Sequence, residues 1–538
     1  MKMPLFWAVT LIASAPAFTQ TSPPATPQLT AGAEFKGLRF DWEPVARATS
    51  YQLEYRAHQA GAFVPQGGAL QASTTSTHFT FPLHLFDWTY ARYRLAACNS
   101  AGCTRSAEVS VSLLRRDAVG YFKPAQPLIN QQFGDDVALT PDGYNFVAAA
   151  PGDVIQSGSS SRAGGAIYVF RRGGDGAWFQ RARLTPTIPP FLDESINYMS
   201  VGISASGNTV AVGMPNYLHE EFDENAGEVQ VFHWNGTSWG RARVPRVAAY
   251  YFGEWVALSD SGYTLAAEFR GTGGAGTGIA LYKLVAGVWH NVRIVPDSLD
   301  GFEHCDTATV LSRDGSTLAQ HCIVPSSPTS AERHLIRTWS GNNWTVRNDI
   351  PLESSSPSSL GYANSGLGIS GNGDTIAANI YVTVPDSPEA GASQVNVFRR
   401  TNGAYSKVAE LTPGAWANGT YRGYYGFDIA VSGDGATLAV GDPSDIGQGT
   451  GPRAAPLIAG TEKTGAVYIY RLTNAWKLAN MIKPNYPNDR MGFARELDLS
   501  HSGRTLIIGE PGEASSARGI GGDWRNTEDP GSGAVWMY

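Results

Sequence analysis

The sequence is short of charge, of cysteine and of long apolar runs, and each shortage argues against a class of function. Charged residues make up 16% of the 538, the net charge is −7, and no Lys/Arg cluster occurs, so nucleic acid is not expected as a partner. No HExxH, P-loop or CxxC motif occurs, and the ten histidines are scattered without ligand spacing. We therefore predict no metal, no cofactor and no catalytic residue. Beyond the N-terminal segment no stretch is long and apolar enough to span a membrane.

The first 17 residues have the pattern of a secretory signal peptide. Lys2 supplies the positive start, residues 5–13 form a short apolar core, and Ala15-Pro16-Ala17 provides a small-residue cleavage site. The alternative is an N-terminal segment with no targeting role. The pattern predicts a secreted or extracytoplasmic protein, in the periplasm or at the cell exterior, with residues 18–26 as a Pro-containing linker.

One short pattern recurs seven times and predicts the architecture of most of the chain. It consists of Ser or Thr, any residue, a small polar residue, Gly, any residue, usually Thr, and an apolar residue. The copies are TPDGYNF (140–146), SASGNTV (204–210), SDSGYTL (259–265), SRDGSTL (312–318), SGNGDTI (370–376), SGDGATL (432–438) and SHSGRTL (500–506). The mean spacing is about 60 residues, so one supersecondary unit is repeated around or along an axis.

Each repeat contains the signals of four β-strands. In the sixth copy, alternating apolar residues precede the Ser432 turn, TLAV follows it, GAVYIY (465–470) forms a third strand, and Trp476 opens a fourth. Four strands per repeat at this spacing predict a seven-bladed β-propeller over residues 116–538. The last copy lacks a fourth strand, and residues 116–124 supply a spare one that we expect to pair with residues 533–538.

The four cysteines form two local pairs, which predict disulfides in an exported chain. Cys98 and Cys103 flank a predicted hairpin turn, and Cys305 and Cys322 lie on the first two strands predicted for the fourth repeat. If residues 312–315 form a four-residue loop, Leu311 faces Ser316 and Cys305 faces Cys322. A metal site that includes the adjacent His304 and His321 is the alternative, but it would need more soft ligands.

Residues 27–113 resemble a fibronectin type III domain, a small β-sandwich. The resemblance rests on Trp42, on ATSYQLEY (48–55) and on YRLAACNSAGC (93–103), and it covers under a fifth of the chain. It implies a spacer or binding module. The predicted fold class is therefore all-β, with a small β-sandwich followed by a seven-bladed β-propeller.

The repeats resemble the FG-GAP propellers found in integrin α-subunits. The shared signature includes Phe133-Gly134 with Ala149-Ala150-Pro151, Phe252-Gly253, Tyr425-Gly426 with Gly441-Asp442-Pro443, and Gly509-Glu510-Pro511. The resemblance covers about three quarters of the chain and implies the fold. The calcium loops of that family are not matched, because residues 297–301 carry too few carboxylates in register.

The loops between second and third strands and between repeats are long and variable, and together they predict a ligand-binding face. Around the sixth and seventh repeats this long-loop face carries Trp416, Tyr421, Tyr424 and Trp524, aromatic residues that bind glycans or proteins or else pack the loops onto the sheets. We expect a secreted, non-catalytic recognition or adhesion protein with an extracellular glycan or protein partner. The alternative is a secreted carbohydrate-active or other propeller hydrolase, which a convergence of carboxylates at a central channel would favour.

Overall fold

The computed structural model is built almost entirely of β-strands, as predicted. It describes residues 22–58, 60–157, 160–187, 196–219, 222–271, 277–296, 305, 308–324, 333–352, 360–361, 366–384, 387–413, 424–447, 449–452, 463–486 and 492–538. Two 3₁₀ turns, Leu83–Leu85 and Ser112–Leu114, are the helical elements of this part of the chain. None of its helices is long and apolar enough to cross a bilayer. The chain divides into two compact units, of which the first comprises residues 22–33, 38–79 and 87–114.

The strands of the N-terminal region form two antiparallel sheets that share an aromatic core. The sheets consist of Leu29–Glu34, Gly37–Trp42 and Ser76–Thr80, and of Val64–Pro65, Ser50–Arg56, Arg92–Asn99 and Gly102–Arg105 with Leu70–Gln71 and Val109–Ser110 at the side. Phe40 and Tyr93, one from each sheet, have ring centroids 4.5 Å apart, and Trp42 and Tyr51 lie at 5.5 Å. All four side chains are buried. The aromatic residues that suggested a small β domain therefore form its core.

In the described part of the second unit, and apart from two small hairpins, seven antiparallel sheets correspond to the seven repeats, and each is built on four strands in the order first, second, third, fourth. We number them sheet 1 to sheet 7. Their strands are Val137–Leu139, Asn145–Ala150, Ala166–Arg172 and Trp178–Leu184 in sheet 1; Ser200–Ile203, Thr209–Met214, Glu228–Trp234 and Trp239–Arg243 in sheet 2; Val256–Leu258, Thr264–Arg270, Thr277–Val285 and Val288–Pro296 in sheet 3; Thr309–Leu311, Thr317–Val324, Arg333–Ser340 and Thr345–Pro351 in sheet 4; Leu367–Ile369, Thr375–Val384, Ser387–Thr401 and Ala404–Leu411 in sheet 5; Ile429–Val431, Thr437–Asp442, Ala466–Leu472 and Trp476–Lys483 in sheet 6; and Glu496–Leu499, Leu506–Glu510, Ala534–Met537 and Gly120–Phe122 in sheet 7.

Short strands extend some of these sheets or form separate hairpins. Leu360–Gly361 pairs with the second strand of sheet 5, and Gly451–Pro452 pairs with the fourth strand of sheet 6. Val154–Ser157 pairs with Ser160–Ala163, and Leu218–His219 pairs with Phe222–Asn225. Both hairpins lie between the second and third strands of their repeats. The loops there carry structure of their own in sheets 1 and 2.

The repeated Ser or Thr closes the turn between the first and second strands. In all seven repeats its side-chain oxygen accepts the main-chain N–H of the residue five positions later, at 2.9–3.1 Å. The Gly three positions after it has positive φ each time, between +63° and +74°. Only glycine adopts that conformation without steric cost, so the pattern Ser/Thr-x-x-Gly encodes one turn geometry.

The apolar core lies between neighbouring sheets rather than at one centre. Val147 and Val169 of sheet 1 pack with Val201 and Val212 of sheet 2 in one buried cluster, and equivalent clusters join other adjacent sheets. The first strands contact one another in a closed cycle, from sheet 1 through each successive sheet to sheet 7 and back to sheet 1. First strands around an axis with sheets packed face to face are the arrangement of a β-propeller.

An N-terminal strand supplies the fourth strand of sheet 7, as the sequence predicted. Gly120–Phe122 pairs antiparallel with Ala534–Met537, with Tyr121 opposite Trp536. The buried Lys123 next to this strand forms an ion pair with Glu513 at 2.7 Å. In sheet 6 the equivalent Lys483 pairs with Asp445 at the same distance, so the resemblance between Phe122-Lys123-Pro124 and Ile482-Lys483-Pro484 has a structural cause.

Both predicted disulfides are present, although one strand register was predicted wrongly. Cys98 is bonded to Cys103 and Cys305 to Cys322. Leu311, however, faces Leu318 and not Ser316. The reason is that Ser312 itself closes the turn: its N–H donates to the Thr317 carbonyl oxygen at 2.8 Å, so the loop is residues 313–316. Cys305 precedes the first strand and reaches Cys322 from outside the ladder.

Candidate functional site

A central channel runs along the axis of the second unit, and all seven first strands line it. Its cavity volume is about 480 Å³. Lining segments from the seven sheets are 136–138, 200–203, 255–258, 308–311, 366–369, 427–431 and 495–498. Every first strand runs from one end of the channel to the repeated Ser or Thr at the other, so the two ends are built from different sequence positions.

The end at the repeated turns, which we call the turn end, is narrowed by the main chain itself. Main-chain hydrogen bonds link the residues that follow the repeated Ser or Thr around the axis, and in sheets 4 and 6 the donor is the amide of the next residue. Ala205 N donates to Asp260 O, Asp260 N to Arg313 O, Asp314 N to Gly371 O, Gly371 N to Gly433 O, Asp434 N to His501 O, and His501 N to Pro141 O. Pro141 accepts a hydrogen bond in this circle but donates none, because proline lacks an N–H group. A Cβ atom at Gly433 would lie 2.3 Å from His501 Nδ1, so the backbones meet there at glycine-only separations.

A single arginine spans the channel at this end. The Arg313 guanidinium, from the sheet 4 turn, donates to Asp498 Oδ2 on the first strand of sheet 7 at 2.6 Å, and it lies 3.7 Å from Asp260 of sheet 3. Asp498 Oδ2 also accepts the amide N–H of Leu139 in sheet 1 at 2.7 Å. Arg313 therefore connects sheets on opposite sides of the axis and forms a floor to the channel.

The opposite end, which we call the mouth, carries aromatic and acidic side chains. It comprises Asp136, Tyr198, Trp255, Phe427, Asp428, Arg495 and Glu496, all of which line the cavity. Arg495 is exposed and the other six are half-buried. A half-buried aromatic ring offers an apolar surface to a ligand while the carboxylates offer hydrogen-bond acceptors. The mouth therefore combines the two kinds of group found in sugar and peptide sites.

Two of these carboxylates also join neighbouring sheets. Asp136 Oδ2 accepts the amide N–H of Val201 in sheet 2 at 2.7 Å, and Asp428 Oδ2 accepts that of Leu497 in sheet 7 at 2.7 Å. Ser200 occupies the corresponding position in sheet 2, and its Oγ accepts the N–H of Val256 at 3.1 Å. A side-chain acceptor at this position thus satisfies a main-chain donor of the next sheet, which is a structural role.

The carboxylates at the mouth are close enough to perturb one another. Burial raises the pKa of Asp136 to about 7. The hydrogen bond from the Val201 amide N–H opposes this shift, and the nearby Asp135 increases it. Burial also raises the pKa of Asp428 to about 7 and that of Asp135 to about 6. For Glu496, burial together with Asp136, Asp428 and Asp135 raises the pKa well above its usual range. The group consequently holds protons near neutral pH.

Of the four aromatic residues predicted to bind a ligand, two can be located. Trp416 and Tyr421 lie outside the described residues. Tyr424 is 43% exposed, and its ring meets the mouth residue Phe427 edge-on with centroids 6.3 Å apart. Trp524 is only 6% exposed and packs against Trp536 at 5.9 Å. The structure therefore links Tyr424 to the mouth and covers most of the Trp524 ring.

Sequence reasoning missed the acidic residues of the mouth, although a signal was present. Asp136, Asp428 and Glu496 all stand four residues before the repeated Ser or Thr, at the start of the first strand. An alignment of the seven repeats at that position would have marked three acidic residues on one end of the axis. Their mutual proximity still required the closed ring, because the three positions are far apart in sequence.

One further sequence pattern carries no catalytic geometry. Residues 236–240 match Gly-x-Ser-x-Gly, which in hydrolases forms a strained turn between a strand and a helix. Here they lie in the hairpin between the third and fourth strands of sheet 2, where the Asn235 side chain accepts the N–H groups of Thr237 and Ser238 at 2.9 Å. Ser238 is an exposed turn residue. Within the described ranges no three His, Cys, Asp or Glu side chains are placed to hold a metal ion.

Comparisons with known proteins find only distant structural matches. No protein-family model matches the chain, and no curated protein matches it. Among solved structures, hydrazine synthase from Kuenenia stuttgartiensis is 13% identical with a TM-score of 0.42, over 71% of this chain and 93% of that one. The WD40 repeats of RRP9 are 11% identical with a TM-score of 0.43, over 78% and 96%. The β-propeller domain of the Trilobed protease from Pyrococcus furiosus is 9% identical with a TM-score of 0.40, over 73% and 96%.

Proposed function

We propose that this chain is an exported, non-catalytic recognition protein with a seven-bladed FG-GAP-like propeller at residues 116–538. A fibronectin type III-like domain at 27–113 precedes it as a spacer or second binding module, after a signal peptide at 1–17 and a linker at 18–26. The partner is an extracellular glycan or protein. The two disulfides support an oxidising, extracytoplasmic location, because such bonds persist there.

The observation that carries the proposal is the asymmetry of the channel. The main-chain circle and Arg313 narrow the turn end, whereas the mouth presents Tyr198, Trp255 and Phe427 to solvent. A ligand therefore has access from the mouth, which belongs to the same face as the long loops. Tyr424 extends the aromatic surface outward from Phe427. We assign ligand recognition to this face and keep Trp416, Tyr421 and Trp524 as proposed contributors from its loops.

Binding of a purified protein to a glycan and matrix-protein array tests this assignment. Two tyrosines provide a matched pair: Tyr424 beside the mouth is 43% exposed, and Tyr263 in the sheet 3 turn at the other end is 59% exposed. Tyr424→Ala should weaken binding to the ligand found by about 1–3 kcal/mol, roughly 5- to 150-fold, because exposed aromatic anchors dominate such interfaces. Tyr263→Ala should leave it unchanged.

Both variants should melt like the wild type, because neither ring is buried. Loss of binding in Tyr263→Ala with retention in Tyr424→Ala would place the ligand on the turn end and refute the assignment. An array without any ligand would count against recognition as the function and favour the catalytic candidate below.

A hydrolase remains the second candidate, because carboxylates do converge at the mouth. Asp136 and Asp428 accept main-chain amides of neighbouring sheets, which leaves Glu496 as the group best suited to donate a proton. Hydrolysis of glycoside substrates by the wild type, abolished in Glu496→Gln, would support this candidate. Equal turnover by wild type and Glu496→Gln would exclude it.

The closed ring can be tested separately from the ligand. Removal of residues 116–124 should expose the edge of Ala534–Met537 and leave Glu513 without its lysine partner. We expect loss of cooperative unfolding by circular dichroism. A truncated protein that melts at the wild-type temperature would contradict ring closure by this strand.

A further inference from the structure

Three sheets contain an acid–base pair with a buried acid at the same position, but the base differs among them. The acid is the third residue after the end of the second strand, and the base lies in the fourth strand or directly after it. The pairs are Arg183 with Asp153 in sheet 1 at 2.9 Å, Lys483 with Asp445 in sheet 6 at 2.7 Å, and Lys123 with Glu513 in sheet 7 at 2.7 Å. Both lysine side chains are completely buried. This repetition allows one pair to be compared with the others.

The Lys123 amine is surrounded as an ammonium ion should be. It donates to Glu513 Oε2 at 2.7 Å, to Ser532 Oγ at 2.6 Å and to the Ser515 carbonyl oxygen. A fourth oxygen, Ser515 Oγ, lies at 3.4 Å, so each of the three N–H groups of the charged form has an acceptor. Burial lowers the pKa of Lys123, although Glu513 opposes the shift, so the larger set of acceptors is what favours an ion pair in sheet 7.

The Lys483 amine has a poorer set of acceptors. Within the described residues it donates to two oxygens of a single residue, Asp445 Oδ1 at 2.7 Å and the Asp445 carbonyl oxygen at 3.4 Å. Its burial lowers the pKa, although Asp445 opposes the shift. A buried ammonium with incomplete hydrogen bonding favours the neutral amine, which is a nucleophile.

The Asp445 carboxyl is held by donors on both oxygens. The Gly447 N–H donates to Oδ1 at 2.8 Å, and the Tyr468 hydroxyl donates to Oδ2 at 2.7 Å. Donors on a carboxyl polarise its carbon and stabilise the charge that develops on oxygen during attack. Asp442 lies beside the pair, fully buried, and burial together with Asp445 raises its pKa to about 7. It can therefore carry a proton near neutral pH.

We propose that Lys483 and Asp445 form an intramolecular isopeptide bond. Nζ, as the neutral amine, attacks Cγ of the Asp445 carboxyl group, a C–N bond forms, and the Cγ–Oδ2 bond breaks. The buried pair shares three protons: one stays on the amide nitrogen and two leave with Oδ2 as water, with Asp442 relaying protons from Nζ to Oδ2. No oxidant or cofactor is required. The product replaces two buried charges by a neutral amide, which removes the desolvation cost of a buried ion pair.

The contacts supply the conditions that such a reaction needs. Nζ is already held against the carboxyl, and well-oriented intramolecular reactions have effective molarities of about 10⁵–10⁸ M. The Arg183 and Lys123 pairs cannot follow this route, because a guanidinium is not a nucleophile and the Lys123 ammonium is fully coordinated. The inference concerns the covalent structure of sheet 6 and is independent of the proposed function.

Peptide mass spectrometry of the full-length folded protein tests the bond. Trypsin would separate residues 423–453, which contain Asp445, from residues 478–490, which contain Lys483. We expect the two peptides to appear joined, with a mass lower than their sum by one water. Separate peptides of unmodified mass would overturn the proposal. Water loss confined to 423–453 would also overturn it, because that signature belongs to a succinimide.

Three variants assign the roles. Lys483→Arg gives sheet 6 the Arg–Asp ion pair of sheet 1. This variant should fold, but the joined peptide should be absent because a guanidinium is not a nucleophile. Asp442→Asn preserves shape but removes the proton relay, so the joined peptide should also disappear, with far-UV circular dichroism checking the fold. Lys123→Arg in sheet 7 is the matched control and should retain it. A joined peptide that persists in Asp442→Asn would refute the assigned relay.

Discussion

The two ends of the central channel are built by the same seven strands and yet differ in almost every respect. At the turn end each repeat places a Ser or Thr oxygen and a positive-φ glycine in the same geometry. At the mouth, four residues earlier, the repeats place Asp136, Ser200, Trp255, Ala308, Gly366, Asp428 and Glu496. At the turn end the backbones are in close contact, so one turn geometry is repeated in every sheet. At the mouth the side chains differ from sheet to sheet. A repeat protein can thus evolve specificity at one end without disturbing the ring.

The largest expected effect is at a turn-end glycine. A Cβ at Gly435 would lie 2.6 Å from Thr375 Oγ1 of the preceding sheet, and its φ is +68°. Gly435→Ala should lower the free energy of unfolding by about 2–4 kcal/mol, from strained φ plus overpacking. Gly403→Ala is the control, since its φ is +83° and no atom lies within 4 Å. It should lose about 1–2 kcal/mol. Equal losses in urea unfolding would show that the turn end does not depend on close packing.

Removal of the channel floor should have a somewhat smaller effect. Arg313→Ala would leave Asp498 and Asp260 without their cation, at a cost of about 2–3 kcal/mol for charge-assisted hydrogen bonds in a partly buried site. Arg525, half-exposed in its pairs with Asp117 and Asp523, is the control and should lose about 0–1 kcal/mol on replacement by Ala. If Arg313→Ala unfolds at the wild-type denaturant concentration, the turn end is held by its main chain alone.

The smallest effect is a dependence of stability on pH that originates at the mouth. The pKa values of Asp136 and Asp428 are raised from 3.8 to about 7, so the folded state binds protons that the unfolded state releases. Their stabilising contribution is complete below about pH 4 and is lost as the pH rises to about 7. Asp136→Asn with Asp428→Asn retains an oxygen acceptor for each amide and removes the titration.

The difference in unfolding free energy between pH 5 and pH 8 should shrink by on the order of 1 kcal/mol in this double variant, because solvent screens these half-buried groups. Burial also raises the pKa values of Asp442 and Glu510, but both residues are unchanged in the variant, so their contributions cancel in the comparison. A variant whose pH profile overlays that of the wild type would show that the mouth carboxylates are well hydrated.

Much of the fold could be predicted because its determinants are local. The repeated Gly with positive φ, the alternation of apolar residues and the position of Trp476 are each properties of a few adjacent residues. The pairing of residues 120–122 with the last strand was predictable because Lys123 and Lys483 stand in equivalent sequence contexts. The register around Cys322 was predicted wrongly because the role of Ser312 as the closing residue of its turn is not visible in the pattern.

The mouth and floor could not be predicted because they depend on which strands meet across the axis. Nothing near Arg313 in the sequence indicates that its partner is Asp498, 185 residues away. Asp136 and Glu496 likewise meet only when the ring closes. For Trp524 the sequence left ligand binding and loop packing open, and the ring is covered because Trp536 and Arg116 offer it packing surfaces.

The way in which sheet 7 is completed has a consequence for folding kinetics. Lys123 and its partner Ser532 are 409 residues apart, so this sheet joins the segment that precedes the first repeat to the last repeat. Synthesis must pass through six repeats before the edge of residues 120–122 can be covered. Until then that edge and the nascent sheet 7 are open to strand pairing with other chains, the usual origin of aggregation during slow assembly. Refolding of the unit should therefore have a slow last phase that reports the joining of residues 120–122 to residues 534–537.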